Sequence, residues 1–268
     1  TYGFHHVDVV DEMYRAAGYE WGVPAGQDLT AACDGWAALP LVAQPGTTWN
    51  YSVGTDVVGR IVEVVSGRTL SEFFAERIFG PLGMTDTSFG VTAEDEDRLA
   101  ALYIPAPGTG RAVRYDRMGR AALGEPEFLS GGGGLVSTIG DYHRFTRMLL
   151  NRGELDGARL LGPRTLAYMT RNHLPGNADL GDFGRPVFAE TKYAGMGFGL
   201  GFSVVLDPVR YGTVCSPGEF AWGGAASTAF WVDPVEDLSV VFMTQLLPSS
   251  THPIRPQLKQ LVYAAITD

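Results

Sequence analysis

Tyr51 and Ser52 stand side by side in PGTTWNYSVGTDVVGRIVEVVS (residues 45–66), behind a Pro-Gly turn and a tryptophan and ahead of an apolar run with helical spacing. Two readings are open. Either the pair opens an ordinary helix, with the hydroxyl capping backbone N–H groups, or the phenol is placed to carry a proton. Ser52 has no lysine or histidine beside it in sequence to activate it, so it reads as a cap or structural hydroxyl rather than a nucleophile. A second stretch, WGGAASTAFWVDP at 222–234, brings a tryptophan and two glycines to the end of a strand-like run.

Other chemical motifs fail on spacing. GGGG at 131–134 has no Gly-Lys-Ser/Thr after it, and GMGFGLG lacks the dinucleotide spacing G-x-G-x-x-G. No nucleophile elbow G-x-S-x-G occurs. The five histidines, His5, His6, His143, His173 and His252, form no H-x-x-x-H pair, so a metal site is not expected. Asn50-Tyr51-Ser52 matches a glycosylation sequon, a match that short sequences make by chance.

These residues must be held by a chain of 268 residues, 45% hydrophobic and 19% charged, which is globular in character and long enough for a large core. The 35 glycines and 16 prolines imply many turns and close backbone approaches. A net charge of −10, with only Lys192 and Lys259 as lysines, argues against nucleic acid or an anionic membrane as partner. No apolar run reaches the ~18 residues of a membrane span and no signal peptide opens the sequence, which leans towards a cytoplasmic location. Cys33 and Cys215 are expected to be buried thiols, with one disulfide as the alternative.

Helical spacing marks residues 7–17, 28–39 and 52–66, the last stopped by Gly67. TLSE at 69–72 is a capping box whose helix is expected to end at Gly80-Pro81, and Thr138 with Asp141 suggests a second box. In the 52–66 run the valines and Ile61 are expected to anchor the helix behind Tyr51. A helix also starts at Pro163. The last third is strand-like over 195–201, FAWGG, STAFWVDP and LSVVFMTQL, then closes with an amphipathic helix in PQLKQLVYAAI. Helices and loops followed by successive strands give an α+β class, with an antiparallel sheet flanked by helices.

In order, PGTTWNYS…VVGRIVE, GRTLSEFFAERIFGPLGMTDT, GGGGLVSTIGDYHRFTRMLLNRGELDGARLL, FGLGF and WGG…FWVDP resemble serine hydrolases with the class C β-lactamase and penicillin-binding-protein fold, in their esterase branch, the family VIII carboxylesterases. The resemblance covers nearly the whole chain. It implies one catalytic domain over 1–268, with a helical and loop region to about 190 carrying the tyrosine motif, then sheet strands and a terminal helix. It also implies an acyl-enzyme route on a small ester or amide, with no metal or cofactor. Tyr51 would be the general base, its phenol, ordinarily near pKa 10, lowered by a neighbouring ammonium and a helix start. Ala225 would give an oxyanion-hole N–H. Trp222, Gly223, Gly224 and Val53 would touch substrate, the glycines by allowing its close approach.

Three departures qualify this. Tryptophan replaces the lysine of the β-lactamase K-T-G, and Val53 replaces the asparagine of Y-S/A-N, both disfavouring β-lactams. No S-x-x-K is present, since Ala189 and Pro256 stand three residues before the two lysines. The nucleophilic Ser and Lys are therefore expected upstream of Thr1, on a missing N-terminal segment or a second chain, and the residues given are not expected to complete acyl transfer alone. The alternatives are a β-lactamase, a D-alanyl-D-alanine peptidase, a transacylase, or a non-catalytic scaffold.

Overall fold

The computed structural model describes residues 1–3, 8–20, 22–184 and 193–267. Lys192 and the His5-His6 pair lie outside the described residues. The segments that sequence spacing marks as helical start on local caps. The Asp8 carboxylate accepts the Val10 N–H at the start of α1 (Val9–Ala16), and Asp28 does the same for Ala31 at α2 (Leu29–Ala37). Helix α3 (Gly54–Ser66) ends at Gly67, whose φ of 69° is the left-handed cap that glycine adopts without strain. Thr69 and Glu72 form the reciprocal capping box of α4 (Leu70–Phe74).

Two local expectations are corrected. The α4 helix does not stop at Gly80-Pro81. It widens into a π turn over Ala75–Phe79, continues through Gly80–Leu82 and stops at Gly83. The wider turn accommodates a proline that has no N–H to give, and Pro81 then sits in a first turn where none is required. At Thr138 the side chain does cap the Ile139–Leu150 helix, but the Asp141 carboxylate does not reach back. It accepts instead from the Asp86 N–H and the Thr87 hydroxyl, tying the helix to the preceding loop.

Two short hairpins, β1–β2 (Tyr103–Pro105, Ala112–Arg114) and β3–β4 (Glu154–Leu155, Ala158–Arg159), precede the main sheet. That sheet is an antiparallel meander of β5 (Met196–Phe198), β6 (Ser203–Val205), β7 (Phe220–Gly223), β8 (Ala229–Asp233) and β9 (Leu238–Phe242), in that spatial order. Its register pairs Ser203 with Ala221, Trp222 with Phe230, and Trp231 with Val240. The twofold alternation sends Val204, Phe220, Phe230 and Val232 into the main core with Leu82, Met148, Leu149 and Leu166. The opposite face, with Glu219, Ala221, Trp231 and Asp233, meets the C-terminal helix Ile254–Ala264. The fold is α+β, helices against an antiparallel sheet.

Helix α3 departs from the amphipathic reading. Its buried face is Asp56 and Gly59, while Val58, Ile61, Val64 and Val65 are exposed. The cause is close packing: a Cβ on Gly59 would stand 2.9 Å from Leu70 Cδ2 and 3.5 Å from Leu29 Cδ2, so α2, α3 and α4 meet where the side chain is smallest.

Leu82 is fully buried at the centre of the main core. Leu82→Ala should lower the unfolding free energy by ~2–5 kcal/mol, read as a shift of the urea midpoint at unchanged slope; a shift smaller than that of an exposed Leu200→Ala control would place the centre of the core elsewhere.

Candidate active site

The turn ahead of Tyr51 has Pro45 followed by Gly46 at φ 83°, and Thr47 N–H donates to Gln44 C=O at 3.1 Å, the arrangement of a type II turn. Beyond it, Trp49 N–H donates to Phe183 C=O at 3.0 Å and the Thr48 hydroxyl to the same oxygen at 2.9 Å. Tyr51 is thus delivered from a fixed segment onto the head of α3. Val53 is the N-cap residue of that helix, and Ser52 Oγ accepts the Gly54 N–H at 3.2 Å. The serine serves the helix start, as its sequence context suggests.

Tyr51 stacks on Trp222 of β7, ring centroids 6.2 Å apart and planes 26° from parallel. Trp222 in turn meets Trp49 and Phe198 at 6.5 and 5.3 Å, and Tyr2 packs on Tyr51 at 5.1 Å. Tyr51, Trp222, Gly223, Gly224 and Ala225 line one cavity of about 330 Å³, whose wall also includes Arg255 and Lys259 of the C-terminal helix. Four of the five substrate-facing and oxyanion positions expected from sequence, with the tyrosine, thus share a space. Val53 does not: its side chain is buried with Val10, Tyr14 and Trp36, because the N-cap backbone turns it into the core between α1 and α2.

The glycines have a cause other than substrate approach. A Cβ on Gly223 would lie 2.8 Å from the Arg255 guanidinium carbon and from the Thr228 carbonyl oxygen, and one on Gly224 would lie 2.4 Å from Thr228 Oγ1. Both positions are small because protein atoms fill the space a side chain would need. Among the described residues no acceptor takes the Ala225 N–H, which leaves it available as a donor at the cavity wall.

Sequence reasoning missed Asp56. Its carboxylate is almost fully buried and accepts from Ser130 Oγ at 2.5 Å, from Gly132 N–H at 3.1 Å and from the Tyr2 hydroxyl at 3.4 Å. The tetraglycine segment can reach it only because it lacks side chains: a Cβ on Gly131 would lie 2.6 Å from Thr55 C=O. The spacing signal for Asp56 was its place five residues after Tyr51 in the first turn of α3, where a carboxylate also complements the helix dipole.

Burial pushes the Tyr51 phenol above its ordinary pKa, and the Asp56 charge pushes it the same way; the Arg255 charge opposes them without prevailing. Among the described residues no group of three or more His, Cys, Asp or Glu could hold a metal ion. Cys33 and Cys215 are free thiols, and burial lifts Cys215 to about 12.

The Beta-lactamase family model matches residues 8–264. The chain belongs to the beta-lactamase family. Protein Rv1367c of Mycobacterium tuberculosis is 37% identical over 252 residues, covering 92% of this chain and 60% of that protein. Esterase EstB of Burkholderia gladioli is 32% identical over 282 residues, covering 98% and 66%. Among solved structures, EstCE1, described as a hydrolase with promiscuous acyltransferase activity, superposes with a TM-score of 0.76 at 27% identity, over 93% of this chain and 65% of that one. The chain therefore spans about two thirds or less of the length of these members of the beta-lactamase family.

Asp56→Asn keeps the shape and the acceptor oxygen but removes a negative charge beside the phenol. The Tyr51 pKa should fall, seen as a lower titration midpoint of its ring Cζ resonance by ¹³C NMR; an unchanged or higher midpoint would show that this charge is not felt at the ring.

Proposed function

We propose that this chain works in a serine esterase that cleaves small, uncharged carboxylic esters through an acyl-enzyme, with the nucleophilic serine and its lysine supplied from outside the residues given. The observation that carries this reading is the stacking of Tyr51 on Trp222, which brings a phenol and the free Ala225 N–H to one cavity. The relatives named as an esterase and as a hydrolase support the same class of chemistry.

In this scheme the serine hydroxyl adds to the ester carbonyl while its proton passes to the Tyr51 phenolate. The resulting oxyanion is held by the N–H of Ala225 and by that of the serine itself. Collapse expels the alkoxide, which takes the proton back from Tyr51, and water repeats the sequence to release the acid. The scheme explains why a cation is needed: with burial and Asp56 both disfavouring phenolate, an ammonium beside Tyr51 supplies the missing downward pull. Trp222 offers an uncharged, apolar wall where a lysine would clamp a carboxylate, which favours neutral esters over β-lactams or D-alanyl peptides. Acyl transfer to an alcohol in place of water is the second reading, favoured by the acyltransferase activity ascribed to EstCE1.

In the full-length protein, p-nitrophenyl butyrate should be turned over well ahead of nitrocefin or a D-Ala-D-Ala peptide. Tyr51→Phe should lower kcat by ~10²-fold or more, since it deletes the proton carrier and keeps the ring. Near-normal turnover by that variant would return Tyr51 to a packing role, and an intact reading frame without any Ser-x-x-Lys would end the hydrolase proposal.

A further inference from the structure

Ala225 takes its direction from the peptide bond it shares with Gly224. In a planar trans peptide the C=O and the N–H point in opposite directions, so whatever fixes the Gly224 carbonyl also fixes the Ala225 N–H. That carbonyl has two donors. Ser227 N–H closes a turn onto it at 3.1 Å, and Arg255 Nη2 donates to it at 2.5 Å while also donating to Thr228 C=O at 2.9 Å. The guanidinium therefore grips both sides of the β7–β8 connection.

The rest of the connection is fixed around this grip. Gly224 N–H donates to Thr228 C=O at 3.0 Å, the Ser227 hydroxyl donates to Leu246 C=O at 2.6 Å, and Ser227 itself sits at a φ of 72°. A non-glycine residue in that region is strained and persists only where its surroundings hold it. Gly223 is the residue whose lack of a Cβ lets the guanidinium close to this distance.

We propose that Arg255 is the positioning residue of the oxyanion donor: its guanidinium, hydrogen-bonded to the Gly224 carbonyl, aims the Ala225 N–H into the cavity and polarises it. This rests on the esterase reading above for its consequence in catalysis, though not for the backbone geometry. Two physical effects act together. A charge-assisted bond on one end of a peptide draws electron density from the other, so the N–H becomes a stronger donor. A donor held in place beforehand needs no reorganisation as the oxyanion forms, and the benefit falls on the transition state rather than on substrate binding. Arg255 also lies close enough for its charge to favour the Tyr51 phenolate, so one cation supports both elements.

The experiment compares the full-length protein with Arg255→Met and Arg255→Lys. On p-nitrophenyl butyrate, R255M should lose ~10- to 100-fold in kcat with KM changed less than about twofold, below the loss for deleting an oxyanion donor outright. Affinity for an alkylboronic acid, which adopts a tetrahedral form on the serine, should weaken by a similar factor. R255K, which keeps a cation able to reach one carbonyl, should recover part of both losses. With ¹⁵N-alanine labelling, the Ala225 amide proton should move upfield in R255M, while amides of the main core stay protected from exchange. A folded R255M with unchanged kcat and boronate affinity, a loss confined to KM, or an unmoved Ala225 amide would overturn the proposal. Should the parent protein turn over no ester, the esterase reading fails by itself, and the Ala225 resonance still decides whether Arg255 sets that peptide. If R255M does not fold, Arg255→Gln gives the same comparison.

Discussion

A buried charge cluster fixes where the C-terminal helix lies, and the candidate site depends on that helix. Lys259 pairs with Glu219, and the Tyr263 hydroxyl lies 2.7 Å from Glu219 Oε2 and 2.5 Å from Asp233 Oδ2, all four side chains nearly excluded from water. A phenol has one hydrogen to give, so it cannot donate to two carboxylates at once. Burial lifts Glu219 above its ordinary carboxyl pKa, with the Lys259 ammonium opposing that shift. Removing any one member would strand the others in a dry interior, so the helix has one seat on the sheet. Lys259 and Tyr263 are four residues apart on one helix face, and Arg255 is a further turn back on the same face. Seating the cluster thereby places a guanidinium under the end of β7.

The other wall of the site is seated by a second buried carboxylate. Asp56 joins the first turn of α3 to the Ser130 hydroxyl, the Gly132 N–H and Tyr2, and Tyr51 lies between that assembly and Trp222. The two anchors act in opposite senses on the phenol, the carboxylate on one side and the guanidinium on the other. They are alike in mechanical role. Each ties a chemically active backbone or ring to a group whose loss leaves buried polar atoms unsatisfied, which makes the geometry stiff rather than adjustable.

What was legible in the sequence follows from the range of the interactions involved. Helix starts at Thr69 and Thr138 and the stop at Gly67 rest on bonds within four residues, and they read correctly. The order of strands in the meander was legible because neighbours in sequence are neighbours in the sheet. The Tyr51 and Trp222 stretches were found through family resemblance, and no local signal would have brought together residues 171 positions apart (222 − 51). Asp56 and Arg255 went unnoticed for the same reason: their partners, Ser130 and Gly224, lie 74 and 31 residues away. The valine run of α3 misled because helical spacing shows that a face exists, not that it is the one buried. Gly59 decided that instead.

The W-G-G triplet means something different in the fold than in the sequence. Read as sequence, two glycines beside a tryptophan suggest room for a ligand. In the fold, both missing side chains are replaced by protein: the Arg255 guanidinium behind Gly223 and the Thr228 side chain beside Gly224. The strand end is small so that a cation can reach its backbone, and the indole of Trp222, alternating to the opposite side, is left to meet Tyr51. The Arg255 charge thus acts on this wall through the Gly224 peptide as well as from the cavity lining, while the ring that faces the phenol is neutral. The cavity therefore meets a neutral ring on one wall and two cationic side chains, Arg255 and Lys259, on another.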